Sequence, residues 1–267
     1  MQRRLGRSYH EIKSIDSMTV IAHISDLHIS KSSFDEEILI EAINEINSLN
    51  PDMVILTGDI TNKGYYKEFK QATRYLEMFE PPLFAVPGNH DARNLGYQTF
   101  EELIGERSWK LTVGDDFTVI GLDSTTPDDN RGSIGRPQHL WLEHQLDECV
   151  INENFSIVVL HHHVISIPQT GRERNVLSDS GDILKTLTTH EVDLVLSGHK
   201  HVPNIWEINK TLIVNAGSVC SDKLRGKNLN SYNVYNISED SIEIYLHTVG
   251  GERLLFGKYA RNKIRMQ

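Results

Sequence analysis

The stretch TVIAHISDLH, residues 19–28, decides how the chain is read. Residues 19–24 form a short run that is apolar apart from Thr19 and His23, and Asp26-Leu27-His28 follow almost at once. An apolar run of that length bounded by polar residues reads as a buried strand. Beyond it, Phe34, Ile38, Leu39, Ala42, Ile43, Ile46 and Leu49 recur at helical spacing, with Asp35 at the end where a carboxylate faces the positive pole of the helix dipole. Asn50-Pro51 ends that helix, because the residue before proline avoids the α region. Residues 53–56 then form a second strand, leading to Gly58-Asp59. A helical crossover returns the chain to the same sheet edge, so the two strands run parallel.

The pattern repeats outward. A helix carrying Phe69, Ala72, Tyr75, Leu76 and Phe79 stops at Pro81-Pro82, and a strand over 83–86 leads to Gly88-Asn89-His90-Asp91. Residues 109–113 and 117–122 flank Gly114-Asp115-Asp116 and read as a β-hairpin. A helix opened by Pro137 carries Leu140, Trp141, His144 and Leu146, and a strand over 155–160 precedes His161-His162-His163. Ile183, Leu184 and Leu187 lie on a further helix, and a strand over 192–196 precedes Gly198-His199-Lys200-His201. Segments 205–208, 211–214, 232–237 and 242–247 read as antiparallel strands. With no linker, repeat or low-complexity stretch, the economical reading is one α/β domain with two sheets over 19–250. A polar extension (1–18) precedes it, and a basic tail (251–267) with Lys258, Arg261, Lys263 and Arg265 follows.

Composition limits the function. Of 267 residues, 39% are hydrophobic and 24% charged, as in a globular domain with a sizeable core. No apolar run approaches the roughly 20 residues of a membrane span. Arg3-Arg4 is followed by polar residues rather than the apolar core of an export signal, so a cytoplasmic protein is expected. Two distant cysteines, Cys149 and Cys220, argue against a disulfide framework or a thiolate zinc site. A formal charge of -10 disfavours stable binding to duplex nucleic acid.

Five clusters bearing histidine or carboxylate therefore each follow a predicted strand. Loops at the carboxyl ends of parallel strands gather at one sheet edge, where α/β proteins build their sites. Singly, each cluster reads as an ordinary turn; coincidence fails only for the set. Imidazole mixed with carboxylate, without thiolate, suits Mn, Fe, Zn, Co or Ni. A carboxylate between two cations can bridge them, and Asp59 is the natural candidate.

In this order the motifs D-x-H, GD, GNHD, H and GHxH resemble the calcineurin-like metallophosphoesterases, over Asp26 to His201. The resemblance implies a four-layer αββα sandwich of two mixed β-sheets flanked by helices. It implies two metal ions, divalent or trivalent, with Mn or Fe preferred. Asp26, His28 and His201 would hold one, Asn89, His161 and His199 the other, and Asp59 would bridge. His90 would face the scissile phosphate, with Asp91 orienting its ring, while hydroxide on the metals attacks phosphorus in line.

Departures narrow the branch. Asn62 stands where purple acid phosphatases, with GDxxY, carry tyrosine. Thr61-Asn62-Lys63-Gly64 and Asp91 depart from the serine/threonine protein phosphatases. Chain length, GNHD and Asn215-Ala216-Gly217-Ser218 look most like the cyclic-nucleotide and glycerophosphodiester phosphodiesterases. His162, Asn215, Gly217 and Ser218 are then candidate substrate contacts, and Arg131 and Arg136 are either phosphate contacts or solvated. The expected partner is a small phosphoester, a nucleotide among the candidates, and a homo-oligomer is compatible with the sequence. The alternatives are a phosphomonoesterase or DNA nuclease of the same family, and a non-catalytic binding scaffold on the same fold, which typically loses ligands that are all retained here.

Overall fold

A computed structural model describes residues 18–31, 33–114, 117–168, 170 and 176–261. The expected N-terminal extension lies outside the described residues except for Met18. Strand β1 (Thr19–Ile24), helix α1 (Glu36–Leu49) and strand β2 (Met53–Leu56) form the expected parallel unit. Asp35 caps α1, its carboxylate accepting from the backbone N–H groups of Glu37 and Ile38. Helix α2 (Tyr66–Leu76) leads to strand β3 (Leu83–Ala85), parallel to β2. Helix α3 (Gly96–Leu103) was not anticipated; of its side chains only Phe100 is buried, too little to give an apolar stripe.

The hairpin of β4 (Trp109–Val113) and β5 (Phe117–Gly121) is antiparallel, as expected. Helix α4 (Gly135–Ile151), strand β6 (Phe155–Val159), helix α5 (Ser180–Thr189) and strand β7 (Leu194–Ser197) follow, with β5, β6 and β7 parallel. Strand β8 (Asn204–Ile208) pairs antiparallel with β9 (Thr211–Asn215), but β9 also lies parallel to β7, a correction to the all-antiparallel reading of this region. The long apolar run of β9 fits a strand paired on both sides, and all five of its residues are buried. Strands β10 (Ser231–Ile237) and β11 (Ser241–Thr248) return to β1.

A second correction concerns residues 251–267. Arg253–Ala260 form strand β12, antiparallel to β11, so most of the expected tail belongs to the sheet. As an edge strand it leaves Leu254 and Leu255 exposed and carries Lys258, which makes the segment resemble a solvated end in sequence. Residues 262–267 lie outside the described residues.

The two six-stranded sheets run β12-β11-β10-β1-β2-β3 and β4-β5-β6-β7-β9-β8. Alternation along each strand divides the core. Met53 and Ile55 face the other sheet, packing with Ile157, Val159, Leu194 and Leu196. Val54 and Leu56 face the layer of α1 and α2, while Val158 and Val195 face α4 and α5. The architecture is the expected αββα sandwich, with the carboxyl ends of β1, β2, β3, β6 and β7 converging. Among the described residues no helix is long and apolar enough to cross a membrane.

Within β1, His23 is fully buried, its ring nitrogens bonded to Tyr235 Oη at 3.0 Å and Thr57 Oγ1 at 2.9 Å. Burial lowers its pKa from 6.5 to about 3, against the opposing charge of Asp26. The unfolded chain takes up a proton below 6.5 that the native state refuses, so His23 removes stability as pH falls towards about 3. In chelator, wild type should lose about 1.4 kcal/mol per pH unit more than His23→Gln between about pH 6 and pH 4. Parallel urea-midpoint curves for the two proteins would refute this.

Candidate metal centre

Five of the seven expected ligands have left-handed backbone. The φ values are 55° at Asp26, 50° at His28, 50° at Asp59, 74° at His199 and 56° at His201. For residues with a Cβ this conformation costs about 1–3 kcal/mol each and persists only where the surroundings over-determine it. Here backbone bonds join the loops. Asp26 N donates to Gly58 O at 3.0 Å, His28 N to Asp59 O at 2.9 Å, and Gly198 N to His161 O at 3.0 Å. Gly58 (φ +85°) and Gly88 pack backbone to backbone, and a Cβ at Gly88 would collide with Asp59. Glycine is needed at both because the second and third loops touch there.

These turns aim the side chains into one volume. Asp26, His28 and His201 form one group of donors and Asp59, His161 and His199 another, each with ligand atoms within 4.8 Å of one another. Asp59 Oδ2 lies 3.6 Å from His28 Nε2 and 3.5 Å from His161 Nε2, between the two groups. Asn89 Oδ1 joins the second, 2.9 Å from His199 Nδ1 and 3.1 Å from His161 Nε2.

The hydrogen bonding tests whether cations fit. His161 Nδ1 donates to Thr57 O at 2.7 Å and His201 Nδ1 to Lys223 O at 2.7 Å, so in each neutral ring Nε2 keeps its lone pair. His161 Nε2 therefore points its lone pair at two acceptors, Asn89 Oδ1 and Asp59 Oδ2. His201 Nε2 lies 3.1 Å from Asp26 Oδ1, a buried oxygen without a hydrogen bond. Lone pairs facing one another in a buried site need a cation between them. Protons respond to the same field. Burial depresses the His161 pKa, but Asp59, Asp26 and the Thr57 carbonyl outweigh it and hold it at about 9. Burial raises the pKa of Asp26, yet His201 and His161 hold it down at about 2. The donor set fits a pair of nitrogen- and oxygen-ligated ions, and the outer ring nitrogens of His161 and His201 are already bonded to backbone carbonyls as metal ligands require.

Other expected residues are placed differently. Asp91 is fully buried, and its oxygens accept from Ile60 N (3.0 Å), Thr61 N (2.8 Å), Thr61 Oγ1 (2.8 Å) and Gly88 N (3.0 Å). It ties the second and third loops together instead of orienting His90. Burial and the Asp59 charge push it up to about 7 against those donors. The His90 ring is held by the carbonyl of Asn62, which accepts from Nδ1 at 2.5 Å, and Nε2 lies 4.0 Å from Asp59 Oδ2. Burial lowers the His90 pKa, opposed by Asp59.

His162 is fully buried, with Nδ1 bonded to Ser124 Oγ at 2.8 Å and Nε2 to Asn130 O at 3.2 Å. Both ring nitrogens serve the 124–130 loop, which corrects the expected substrate contact. Asn215 donates to Val202 O and Ala216 O, and Ser218 Oγ donates to Asp26 O at 2.7 Å. Gly217 is buried against Ser231. Asn215 and Ser218 brace the ligand loops from behind, because their side-chain polar atoms are taken up by Val202 O, Ala216 O, Ser197 Oγ and Asp26 O. Arg131 pairs with Asp129 in solvent.

Sequence reasoning missed Asn62, Arg93, Asn130 and Lys223. Arg93 donates from Nη2 to Asn130 Oδ1 at 2.5 Å and lies 3.0 Å from His90 Nδ1. Lys223 Nζ bonds Asn62 Oδ1 and lies 3.4 Å from His28 Nδ1. Scattered over four segments, these residues form no motif; only the departure at Asn62 had a signal.

Comparison with known proteins agrees with this geometry. The family model for calcineurin-like phosphoesterases matches residues 19–203. The chain is 32% identical over 223 residues to the "Probable glycerophosphodiester phosphodiesterase GpdQ" of Arcobacter nitrofigilis, covering 74% of this chain and 78% of that protein. It is 23% identical over 226 residues to a "Probable cyclic nucleotide phosphodiesterase" of Xenorhabdus bovienii, covering 78% and 89%. A dimetal phosphatase from Danio rerio superposes with a TM-score of 0.72 at 13% identity, covering 91% of this chain and 99% of that one.

The bracing by Asp91 has a measurable consequence. Asp91→Asn turns an amide N–H₂ towards at least one backbone donor in either orientation, which should cost about 1–3 kcal/mol of stability. Manganese affinity should fall about 10–100-fold, the usual effect of removing an outer-shell partner. Titration of the variant with manganese and its melting temperature check both, and an unchanged affinity would contradict the bracing.

Proposed function

The chain belongs to the calcineurin-like phosphoesterase family, and from that premise we propose that it is a dinuclear phosphodiesterase acting on small phosphoesters, with cyclic nucleotides and glycerophosphodiesters as the first classes to test. The observation that carries this reading is the position of Asp59 between two donor groups, 3.6 Å from His28 and 3.5 Å from His161. Asp26, His28 and His201 would hold one ion, Asn89, His161 and His199 the other, and Asp59 both. Two ions there supply Lewis acidity and an activated water at neutral pH.

The chain's own residues account for the rest. His90 keeps a proton on Nδ1 through the Asn62 carbonyl, which leaves Nε2 as the atom turned towards the Asp59 side. In the doubly protonated ring Nε2–H gives its proton to the departing oxygen, which returns the imidazole to the neutral form with its proton on Nδ1. Asn89 donates through Nδ2 to Asn130 at 3.1 Å, so its Oδ1 is the atom presented to the ion. The diesterase preference is supported by the two relatives bearing phosphodiesterase names.

With manganese supplied, an aryl phosphodiester should be cleaved faster than an aryl monoester, and chelator should abolish both activities. A wide preference for the monoester would overturn the diesterase assignment, and cleavage of single-stranded DNA above the small esters would favour a nuclease. Separately, Asp59→Asn should lose manganese and turnover together. His90→Ala should retain both ions by metal analysis while turnover falls about 10²–10⁴-fold, the range for removing a general acid. Loss of metal from His90→Ala would show that its ring is a ligand.

A further inference from the structure

Two cations flank His90, and neither is used by the reaction as described. Arg93, on the short turn after the GNHD loop, reaches His90 Nδ1 at 3.0 Å and Asn130 Oδ1 at 2.5 Å. Lys223, from the loop after β9, reaches Asn62 Oδ1 and approaches His28 Nδ1 at 3.4 Å. Both are partly buried. Among the described residues neither has a carboxylate within 4 Å, whereas Arg107, Lys110, Arg131, Lys210 and Lys258 are all ion-paired. A chain with a formal charge of -10 thus keeps two cations unneutralised beside its metal centre.

Their supports are neutral amides fixed in orientation. Asn62 Nδ2 donates to Ser33 Oγ at 3.0 Å, so Oδ1 is the atom left for Lys223. Asn130 Oδ1 accepts from Asn89 Nδ2 as well as from Arg93. An amide oxygen positions a cation without cancelling its charge, as a carboxylate would. The same two asparagines tie the cations to the reaction centre, because Asn62 O holds His90 and Asn130 touches Asn89.

Position indicates what they bind. Arg93 approaches Nδ1, the ring nitrogen opposite the Nε2 that faces Asp59, so the cation lies beyond His90 as seen from the metal side. Groups on the scissile phosphorus would be held by the ions and Nε2. An anion reaching Arg93 or Lys223 must then sit further out, on the alcohol that departs. We propose that Arg93 and Lys223 form an anion subsite that selects phosphoesters whose leaving alcohol carries its own negative group, a phosphate or a carboxylate. This inference rests on the phosphoester reading of the same site.

Three non-hydrolysable phosphonates of similar size test it by calorimetry. Propylphosphonate has a neutral tail, 3-phosphonopropionate a carboxylate, and ethylenediphosphonate a second phosphonate. On the protein with excess manganese, both anionic tails should bind about tenfold tighter than propylphosphonate, the scale of one charge-assisted hydrogen bond. In Arg93→Gln and Lys223→Gln that advantage should shrink to about threefold or less while propylphosphonate affinity is kept, and Arg93→Lys should restore part of it. The two anionic ligands separate a carboxylate source from a phosphate source. Equal losses for all three ligands would mean that the cations grip the scissile phosphate, and no loss for any would mean that they are structural; either overturns the proposal. The preference for anionic tails should survive on chelated protein, because the cations belong to the chain. Failure to bind manganese would therefore defeat the dinuclear reading without removing this signal. Melting temperatures of each variant identify any misfolded sample, and Arg93→Lys then provides the decisive comparison.

Discussion

A carboxylate that is 2% exposed and surrounded by imidazoles sets the terms for this molecule. An ionised Asp59 withdrawn from water would cost several kcal/mol without compensating positive charge. Burial by itself would raise its pKa, yet His161, His90 and His28 hold it well below the usual carboxylate range. The neutral imidazoles supply lone pairs rather than charge, so the pocket is cation-seeking by construction. The raised pKa of His161 and the lowered pKa of Asp26 express the same deficit as proton uptake and release.

Holding such a constellation requires backbone that the chain would not otherwise adopt. Left-handed residues at Asp26, His28, Asp59, His199 and His201 concentrate several unfavourable conformations in three loops. The compensation is in the layers behind them. Each loop leaves a strand whose side chains are almost all buried, and the loops share backbone hydrogen bonds across the gap between the sheets. Asp91, Asn215 and Ser218 extend that support, with polar atoms satisfied within the protein rather than offered to a ligand. Residues adjacent to a site in sequence can therefore be part of its frame. His162, one position after the candidate ligand His161, illustrates this most clearly.

The fold and the clustering of the candidate ligands were legible because two strong signals coincide. Parallel strands buried on both faces read as apolar runs, and ligands placed directly after them need no long-range information to be located. Legibility ended where tertiary context decides. β9 follows β8 in the chain but is inserted beside β7, and nothing local distinguishes that from a plain hairpin. β12 escaped notice because an edge strand can be exposed and basic. The role that the resemblance implied for Asp91, orienting the His90 ring, gives way to a different one, because its carboxylate is turned back to Thr61 and Gly88. Arg93 and Lys223 lie 130 residues apart and carry no pattern until the loops meet.

Likeness of fold does not separate an enzyme from a binding scaffold, because the same sandwich hosts both and function resides in the site. What separates them physically is whether the pocket's polar atoms are satisfied internally. A scaffold would relax the constraint by replacing ligands with apolar or self-satisfying groups, since unpaired buried polar atoms cost stability and return nothing without a cation. Here Asp26 Oδ1 is buried without a hydrogen bond, His161 Nε2 faces two acceptors, and the strained turns that present them are all kept. The His90 ring is held by the Asn62 carbonyl, which accepts from Nδ1, with Nε2 turned to the Asp59 side. Maintaining that much unrelieved cost around an oriented imidazole is consistent with turnover and hard to reconcile with mere recognition.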